Sequence, residues 1–253
     1  MFVDETNQTN TIPNLTGNSA GRVNFNPSAS GDYITNESYK TLRTNLFFCG
    51  IDVKVVLLTS CHENEGKSTV SAELAKCLAD ADKKTLFIDA DMRKSLLQPR
   101  NLKQHNHRGL SEFLSGQAEI NDIIYNTQDP DFDVIFSGRF PPNPVELLGS
   151  KRFETFIQNM RNIYDYIIID SPPLGSVIDA AVIAPVCDGT VMVISPGTVS
   201  SAEAVEVKEQ LEKGGSKVLG AILNDVGGKR TKYYKKYYKK YAYTASGQKK
   251  RRR

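Results

Sequence analysis

Residues 57–78 read LLTSCHENEGKSTVSAELAKCL, and this stretch decides the fold class of the chain. Its first part belongs to an apolar run over 53–60 that predicts a buried strand, and apolar periodicity over 67–81 predicts a helix. The turn between them has the sequence of a phosphate-binding loop, formed by Glu65, Gly66, Lys67, Ser68 and Thr69. A glycine turn that joins a strand to a helix is the context in which Gly-Lys-Ser holds phosphate, so we expect these residues to bind a nucleoside triphosphate.

Each part of this loop suits an anionic ligand. The helix N-terminus offers unpaired amides, and Gly66 lets the backbone approach the phosphates closely. Lys67 should reach the terminal phosphates, and the Ser68 hydroxyl should ligate Mg²⁺. The loop is a variant, since Cys61 stands where the common pattern has Gly or Ala. Asn64 also takes a place that often holds glycine, and asparagine tolerates a positive φ.

Two further apolar runs end in acidic residues. KTLFIDADMR over 84–93 contains Asp89 and Asp91, and YIIIDSPP over 166–173 contains Asp170. Open α/β sheets bind ligands at the carboxyl ends of their strands, so these carboxylates should face the phosphates. An extended Asp-x-Asp segment puts both side chains on one side, which suits a pair that shares a Mg²⁺ shell or holds a nucleophile. Asp170 is the expected second anchor of the metal.

Strand and helix patterns alternate along the chain. Strands are predicted near 53–60, 84–89, 132–136, 166–170, 189–194 and 217–223. Helices are predicted near 37–50, 67–81, 109–115, 144–162, 177–184 and 200–213. This alternation predicts an α/β fold of the P-loop NTPase class, with a mostly parallel sheet and helices on both faces. Residues 1–32 are poor in large apolar side chains and predict a flexible arm, 33–228 a single domain, and 229–253 a separate tail.

The loop, followed by FIDADMR at 87–93 and IIIDSPP at 167–173, resembles the bacterial tyrosine kinases of capsule and exopolysaccharide loci. These are a branch of the MinD/ParA-like ATPases. The resemblance runs from about residue 37 to the C-terminus. It includes RGLSEFLSGQAEINDII at 108–124, FDVIFSGRFPPNPVELLGSKRFETFI at 132–157 and VLGAILNDV at 218–226.

The resemblance implies a set of roles for a kinase that uses ATP and Mg²⁺. Lys67 and Ser68 match the nucleotide loop, and Asp89 and Asp91 match the second acidic motif, whose first aspartate helps to deprotonate the acceptor tyrosine. Metal-binding roles fall on Ser68, Asp89 and Asp170, and Asn224 matches the position that contacts adenine. The related ATPases carry an extra lysine at the position of His62, whereas tyrosine kinases of this type lack it.

The C-terminal tail is strongly basic and rich in tyrosine. The whole chain has 32 basic and 29 acidic residues. Residues 229–253 contain 12 Lys and Arg and no acidic residue, so residues 1–228 carry a net charge of −9. Alone, such a tail would indicate an arm that binds nucleic acid or anionic membrane. The resemblance instead implies phosphorylation in trans of its tyrosines, with no nucleic acid expected, at Tyr233, Tyr234, Tyr237, Tyr238, Tyr241 and Tyr243.

The helix predicted over 37–50 carries a charged stripe of Glu37, Lys40 and Arg43. In the family the corresponding helix has Glu-x-x-Arg-x-x-Arg and mediates assembly between subunits, which implies a homo-oligomer, most simply a ring. Lys40 replaces the planar guanidinium of the middle arginine with a point charge. The alternative is a surface helix whose charges pair within one chain.

No apolar window in the sequence is long enough to span a bilayer, and the N-terminus lacks the pattern of a signal peptide. The scattered cysteines argue against a disulfide framework or an iron–sulfur scaffold. We therefore expect a cytoplasmic protein. The resemblance implies recruitment to the membrane by a separate transmembrane adaptor, a cognate tyrosine phosphatase, and regulation of polysaccharide polymerisation and export. The alternatives are a MinD/ParA-type positioning ATPase anchored by its tail, and a nucleotide-gated scaffold without phosphotransfer.

Overall fold

The structure is a computed structural model that describes residues 19–25, 33–95, 97, 108–127 and 131–226. Eight strands in this part of the chain form one sheet, in the order β1-β4-β5-β3-β6-β2-β7-β8. The strands are β1 (Gly21–Val23), β2 (Val55–Ser60), β3 (Thr85–Asp89), β4 (Tyr125–Thr127), β5 (Asp133–Ile135), β6 (Tyr166–Asp170), β7 (Gly189–Ile194) and β8 (Val218–Leu223). Neighbours are parallel except β4 and β5, which confirms the predicted α/β class.

Helices cover both faces of the sheet. The described ranges contain α1 (Tyr33–Phe48), α2 (Lys67–Ala79), α3 (Leu110–Leu114), α4 (Pro144–Leu148), α5 (Lys151–Arg161), α6 (Asp179–Ile183) and α7 (Ser201–Lys213). Alternate side chains of β2 enter two different cores: Val55 and Leu57 pack on one face, Val56 and Leu58 on the other. Both faces of this strand are buried, so its sequence is apolar throughout rather than alternating.

The N-terminal arm differs from the prediction in one short segment. Residues 19–25 are not a flexible arm, because Gly21–Val23 pairs in parallel with β4. Phe25 follows the strand, and its ring centroid lies 5.8 Å from that of Phe87 and 5.9 Å from that of Phe136. The three residues of β1, GRV, form no apolar run, so only their tertiary packing identifies the strand. The rest of the predicted arm lies outside the described residues.

The helix predicted over 144–162 is divided into two. α4 ends before Gly149, and Ser150 starts α5 by accepting a hydrogen bond from the Phe153 amide at 3.2 Å. A serine in this position is a common N-cap, and the apolar periodicity on both sides conceals the break. β4 was also not predicted, since its residues, YNT, form no apolar run.

The six tail tyrosines and the whole predicted tail lie outside the described residues. Within the described ranges, no helix has the length and apolarity needed to cross a bilayer.

The sheet brings the predicted site residues to one edge. β3, β6, β2 and β7 are consecutive and parallel, so their carboxyl ends lie side by side. Asp89, the last residue of β3, is in register with Asp170, the last residue of β6. The loop that follows β2 leads directly to α2 at the same edge, where ligands of open α/β sheets bind.

Candidate functional site

The loop between β2 and α2 takes the backbone form that a phosphate site needs. Gly66 caps α2 with a φ of 77°, and a Cβ at this position would lie 2.1 Å from Nδ2 of Asn224. Glycine is therefore required both for its conformation and for space. Asn64 has a φ of 64°, as its residue type allowed.

Lys67 forms a buried ion pair at the start of α2. Its Nζ lies 2.7 Å from Oδ1 of Asp170 and 3.2 Å from the Ser68 hydroxyl. The hydroxyl of Ser71, one turn further along α2, also donates to Oδ1 of Asp170 at 3.0 Å. Without ligand, Lys67 thus neutralises Asp170, and phosphates that enter the loop must compete for its ammonium group.

The residues present fit a magnesium ion. Oδ2 of Asp170 is buried and has no hydrogen-bond partner within the described part of the chain. The Ser68 hydroxyl lies near the same Lys67 ammonium group, so two oxygen donors converge on one region. A carboxylate and a hydroxyl beside phosphate oxygens are the ligands that Mg²⁺ prefers. A buried carboxylate oxygen without a hydrogen-bond partner is unfavourable, and a metal ion bound to this oxygen would supply the missing partner.

Asp89 and Asp91 have different surroundings. Asp89 is 1% exposed, and its carboxylate accepts hydrogen bonds from the Ser95 hydroxyl and from the Asp91 amide. Asp91 lines a cavity that lies over the phosphate loop. Its carboxylate accepts hydrogen bonds from the amides of Arg93, at 3.1 Å, and Lys94, at 2.9 Å. β3 ends at Asp89, and Asp91 starts a turn. The strand alternation from which we inferred a shared side therefore does not extend to Asp91.

Burial, and then the negative charge of Asp170, raise the pKa of Asp89 to about 7. The Ser95 hydrogen bond and the Lys67 ammonium group act in the opposite direction and are weaker. A carboxylate with a pKa near neutrality beside a phosphate loop is suited to accept a proton during a reaction.

The side chain of the loop residue Glu65 is buried and forms hydrogen bonds to backbone amides. It is 2% exposed, and its carboxylate accepts hydrogen bonds from the amides of His62, at 2.8 Å, and Ser195, at 2.9 Å. The Asn224 side chain donates to the Glu65 carbonyl at 2.9 Å. These bonds connect the loop to the ends of β7 and β8. The predicted contact between Asn224 and adenine stays a prediction.

The cavity over the loop has a volume of about 390 Å³, within the range of small-molecule sites. Besides the loop and Asp91, its walls include Arg93, Lys94, Leu97, Pro172, Pro173, Ser176 and Val177. Sequence reasoning missed how Arg93 is held: its Nε donates to both carboxylate oxygens of Asp179, at 3.0 and 3.2 Å. These residues are 86 positions apart, so no local pattern could have paired them.

The charged stripe on α1 makes contacts within the chain. Lys40 pairs with Glu37 at 2.7 Å, and Nη1 of Arg43 donates to the Cys77 carbonyl in the last turn of α2 at 2.9 Å. The Arg43 contact agrees with the alternative of charges satisfied within one chain. A role of Glu37 and Lys40 between subunits stays a prediction, as both side chains retain exposed area.

Comparisons with known proteins agree with this geometry. The AAA domain family matches residues 54–218. The chain is 46% identical over 192 residues to tyrosine-protein kinase CpsD of Streptococcus agalactiae, covering 76% of this chain and 84% of the relative. Its fold is similar to the kinase domain of Escherichia coli tyrosine kinase ETK, with 35% identity, a TM-score of 0.72 and coverage of 77% and 78% of the two chains.

A more distant similarity is to the septum site-determining protein MinD of Pyrococcus horikoshii, solved in complex with Mg-ADP. That comparison has 26% identity and a TM-score of 0.58, and it covers 69% of this chain and 71% of the other.

Proposed function

This chain belongs to the bacterial tyrosine-protein kinases, and from that premise we propose that it phosphorylates the tyrosines of its own tail in trans, using Mg-ATP. The observation that supports this best is the position of Asp89, a buried carboxylate in register with Asp170 at the carboxyl edge that carries the phosphate loop. A tyrosine hydroxyl has a pKa of about 10, and a nearby carboxylate can accept its proton as transfer proceeds.

The transfer step needs a proton acceptor and neutralisation of charge. The tyrosine oxygen forms a bond to the γ-phosphorus while the bond from that phosphorus to the β–γ bridging oxygen breaks, and ADP leaves with the electron pair. The phenolic proton passes to Asp89. Lys67, released from Asp170, offsets charge on the β- and γ-phosphates, and the amides around Gly66 hold the phosphate oxygens.

Ser68, Asp89 and Asp170 would hold the metal, in line with the free Oδ2 of Asp170. When bound, Mg²⁺ supplies positive charge to the bridging and terminal phosphate oxygens. Thr69 follows Ser68 in the first turn of α2, where its amide extends the set of donors to the phosphates. Asn224, at the end of β8, is the residue we assign to adenine, and it must exchange its bond to Glu65 to make that contact.

The biological role that we propose follows from phosphorylation of the tail. Tyr233, Tyr234, Tyr237, Tyr238, Tyr241 and Tyr243 would be the acceptors, and a cognate phosphatase would reverse the reaction. We further propose a homo-oligomer, most simply a ring, that a transmembrane adaptor recruits to the inner face of the membrane and activates. Its output would be control of capsule or exopolysaccharide polymerisation and export.

A MinD-like positioning ATPase is the weaker alternative. The similarity to MinD, at 26% identity, is well below the 46% identity to a tyrosine-protein kinase. His62 also occupies the position of the extra lysine of those ATPases. Its amide is bonded to Glu65, and its ring Nε2 lies 3.3 Å from the Glu203 carboxylate.

Two complementary variants test transfer in trans. One carries Lys67→Met and an intact tail, and the other an intact site with the six tail tyrosines replaced by phenylalanine. We expect neither to label alone with Mg-ATP, while the mixture labels the tail of the Lys67→Met chain, as mapped by mass spectrometry. A mixture in which the tail of the Lys67→Met chain stays unlabelled, while the parent labels its own tail, would show transfer within one chain instead.

A further inference from the structure

A second groove adjoins the nucleotide cavity and has no assigned role. Its volume is about 430 Å³, and it lies between α7 and residues 174–178. His62, Ser176 and Val177 line both the groove and the nucleotide cavity, so the two share a wall. A ligand in the groove would therefore lie directly beside the phosphate loop.

Residues 174–178, which separate the groove from the nucleotide cavity, pack closely on the phosphate loop. A Cβ at Gly175 would lie 2.2 Å from the Cys61 carbonyl oxygen, so the backbone of residues 174–178 packs directly on the loop. The Leu174 amide also donates to the Ser60 carbonyl at 2.9 Å. A peptide held against this wall would thus keep a fixed position relative to the phosphates.

The groove combines acidic and apolar surface. α7 contributes Glu203, Glu206, Val207 and Gln210, which recur at the spacing of one helix face. The opposite wall contributes Ile178, which is 55% exposed. Within the described part of the chain, Glu206 makes no ion pair, and the lining contains no lysine or arginine. A basic segment with interleaved aromatic residues matches these features.

The chain itself contains such a segment. After Val226, the sequence from 229 to 243 alternates lysines with tyrosines and has no acidic residue. β8 is parallel to β7 and β2, so it ends at the same edge of the sheet as the phosphate loop, which the groove adjoins. An extended chain from Val226 reaches at most about 25 Å at Tyr233 and about 60 Å at Tyr243, enough to enter a neighbouring copy.

We propose that the groove between α7 and residues 174–178 docks the tail, residues 229–243, of a second copy of this chain. Lysines of the tail pair with Glu203 and Glu206, a tyrosine ring packs on the exposed Ile178, and a neighbouring tyrosine enters the adjoining nucleotide site. The groove thus selects basic tyrosine segments as substrates. This rests on the proposed function, in which the tail is the acceptor.

The test compares two charge reversals on α7. Glu206→Lys reverses a charge in the groove. Glu209→Lys is the matched control, because Glu209 is exposed, does not line the groove and pairs only loosely with Lys213 at 3.4 Å. We expect Glu206→Lys to lower the initial rate of tail phosphorylation about fivefold at low salt, and Glu209→Lys to change it less than twofold. Phosphorylation of a neutral tyrosine peptide should be unchanged in both. Equal tail rates in the two variants would overturn the proposal.

A compensating change provides an independent check. Lys235→Glu with Lys236→Glu in the tail should restore much of the rate lost in Glu206→Lys, because the charges again have opposite signs. No rescue would overturn the pairing. If Glu206→Lys instead abolished stimulation by an adaptor peptide and left the unstimulated tail rate intact, the groove would belong to the adaptor, and the proposal would be wrong.

Binding separates this proposal from the proposed function. A fluorescent peptide of residues 229–243, with phenylalanine for each tyrosine, cannot accept phosphate, so its affinity for the full-length chain measures docking alone. Weaker binding to Glu206→Lys than to Glu209→Lys supports the groove even if the parent never labels its tail, a result that would refute only the proposed function. Equal binding would overturn the groove even if the tail is phosphorylated.

Discussion

The ion pair between Lys67 and Asp170 has consequences for both stability and catalysis. Both side chains are buried, and Asp170 retains an oxygen without a partner among the described residues. Removing one member of a buried pair leaves an uncompensated charge and typically costs about 3–5 kcal/mol, whereas removing both can be nearly neutral. The ion pair therefore positions the Lys67 ammonium group at the phosphate site, and a bound nucleotide must replace its contact with Asp170.

Lys67→Met should abolish tail phosphorylation, because no charge then faces the β- and γ-phosphates. In the absence of nucleotide it should also lower the free energy of unfolding by about 3 kcal/mol, because Asp170 then loses its buried partner. Lys67→Met combined with Asp170→Asn should recover most of that stability and none of the activity. Urea unfolding and phosphosite mapping measure the two quantities. Equal stability of the parent and the single variant would contradict the role of the pair.

Asp89 should make the stability of the free protein depend on pH. Its pKa of about 7 lies above the value of about 3.9 for an unfolded aspartate, so the folded state binds more protons between about pH 4 and pH 7. The free energy of unfolding contributed by this group therefore falls as pH rises through that window. Asp89→Asn, a neutral mimic of the protonated acid, should be more stable than the parent at pH 8 and equal to it at pH 4.

This comparison needs urea unfolding without nucleotide and with a chelator, since a bound metal would change the balance of charge. The same variant should lose phosphotransfer severely, as it lacks both a base and a metal ligand. A stability difference that stays constant from pH 4 to pH 8 would contradict the raised pKa of Asp89.

The location of a site residue could be predicted where the residue ends a local sequence pattern. Contacts between residues that are distant in sequence could not be predicted. Gly66, Lys67 and Asp170 sit where an apolar run stops, so the sequence predicts their place at the sheet edge. Ser71 bonds Asp170 across 99 positions, and nothing local indicates that contact. The Glu65 carboxylate accepts hydrogen bonds from two distant or turn amides, which no local pattern indicates, and the predicted contact of Glu65 with the ligand stays a prediction.

At the scale of elements, long segments with clear periodicity were predicted well. β6 and β7 were confirmed with the predicted bounds, because an apolar run of five or six residues between turn signals has few other interpretations. β1 and β4 have three residues each; β1 pairs with β4, and β4 also pairs with β5. Only tertiary structure identifies these two strands, whereas β5 is equally short but was predicted because it lies in the apolar run FDVIF over 132–136.

α1 allows a sharp test of assembly. Glu37 and Lys40 pair with each other at i,i+3, so exchanging them, with Glu37→Lys and Lys40→Glu, preserves the pair within the helix. If these residues contact another subunit, the exchange presents the wrong charges there and should give monomers with an unchanged circular-dichroism spectrum. The unphosphorylated parent should be a larger particle in light scattering. An exchanged variant that assembles like the parent would show that the pair acts only within its own chain.

At the scale of the whole molecule, charge is divided between an acidic body and a basic tail. Residues 1–228 carry −9 and residues 229–253 carry +12. Each phosphotyrosine adds about −1.5 to −2 near neutral pH, so six would contribute roughly −9 to −12 and nearly cancel the charge of the tail. Attraction between a tail and a neighbouring body would then become weak, and any phosphotyrosine near Asp89 and Asp91 would be repelled.

We therefore expect phosphorylation to loosen the assembly. Replacing the six tail tyrosines by phenylalanine keeps the tail at +12, so this variant should stay assembled in Mg-ATP, while the parent becomes a smaller particle as its tail is modified. Because the attraction is electrostatic, raising the salt concentration should shrink the phenylalanine variant as well. Light scattering over the course of the reaction measures both changes, and the parent treated with a tyrosine phosphatase should return to the larger size. The same particle size for the phosphorylated parent and the phenylalanine variant at physiological salt would refute the charge switch, even with the kinase activity intact.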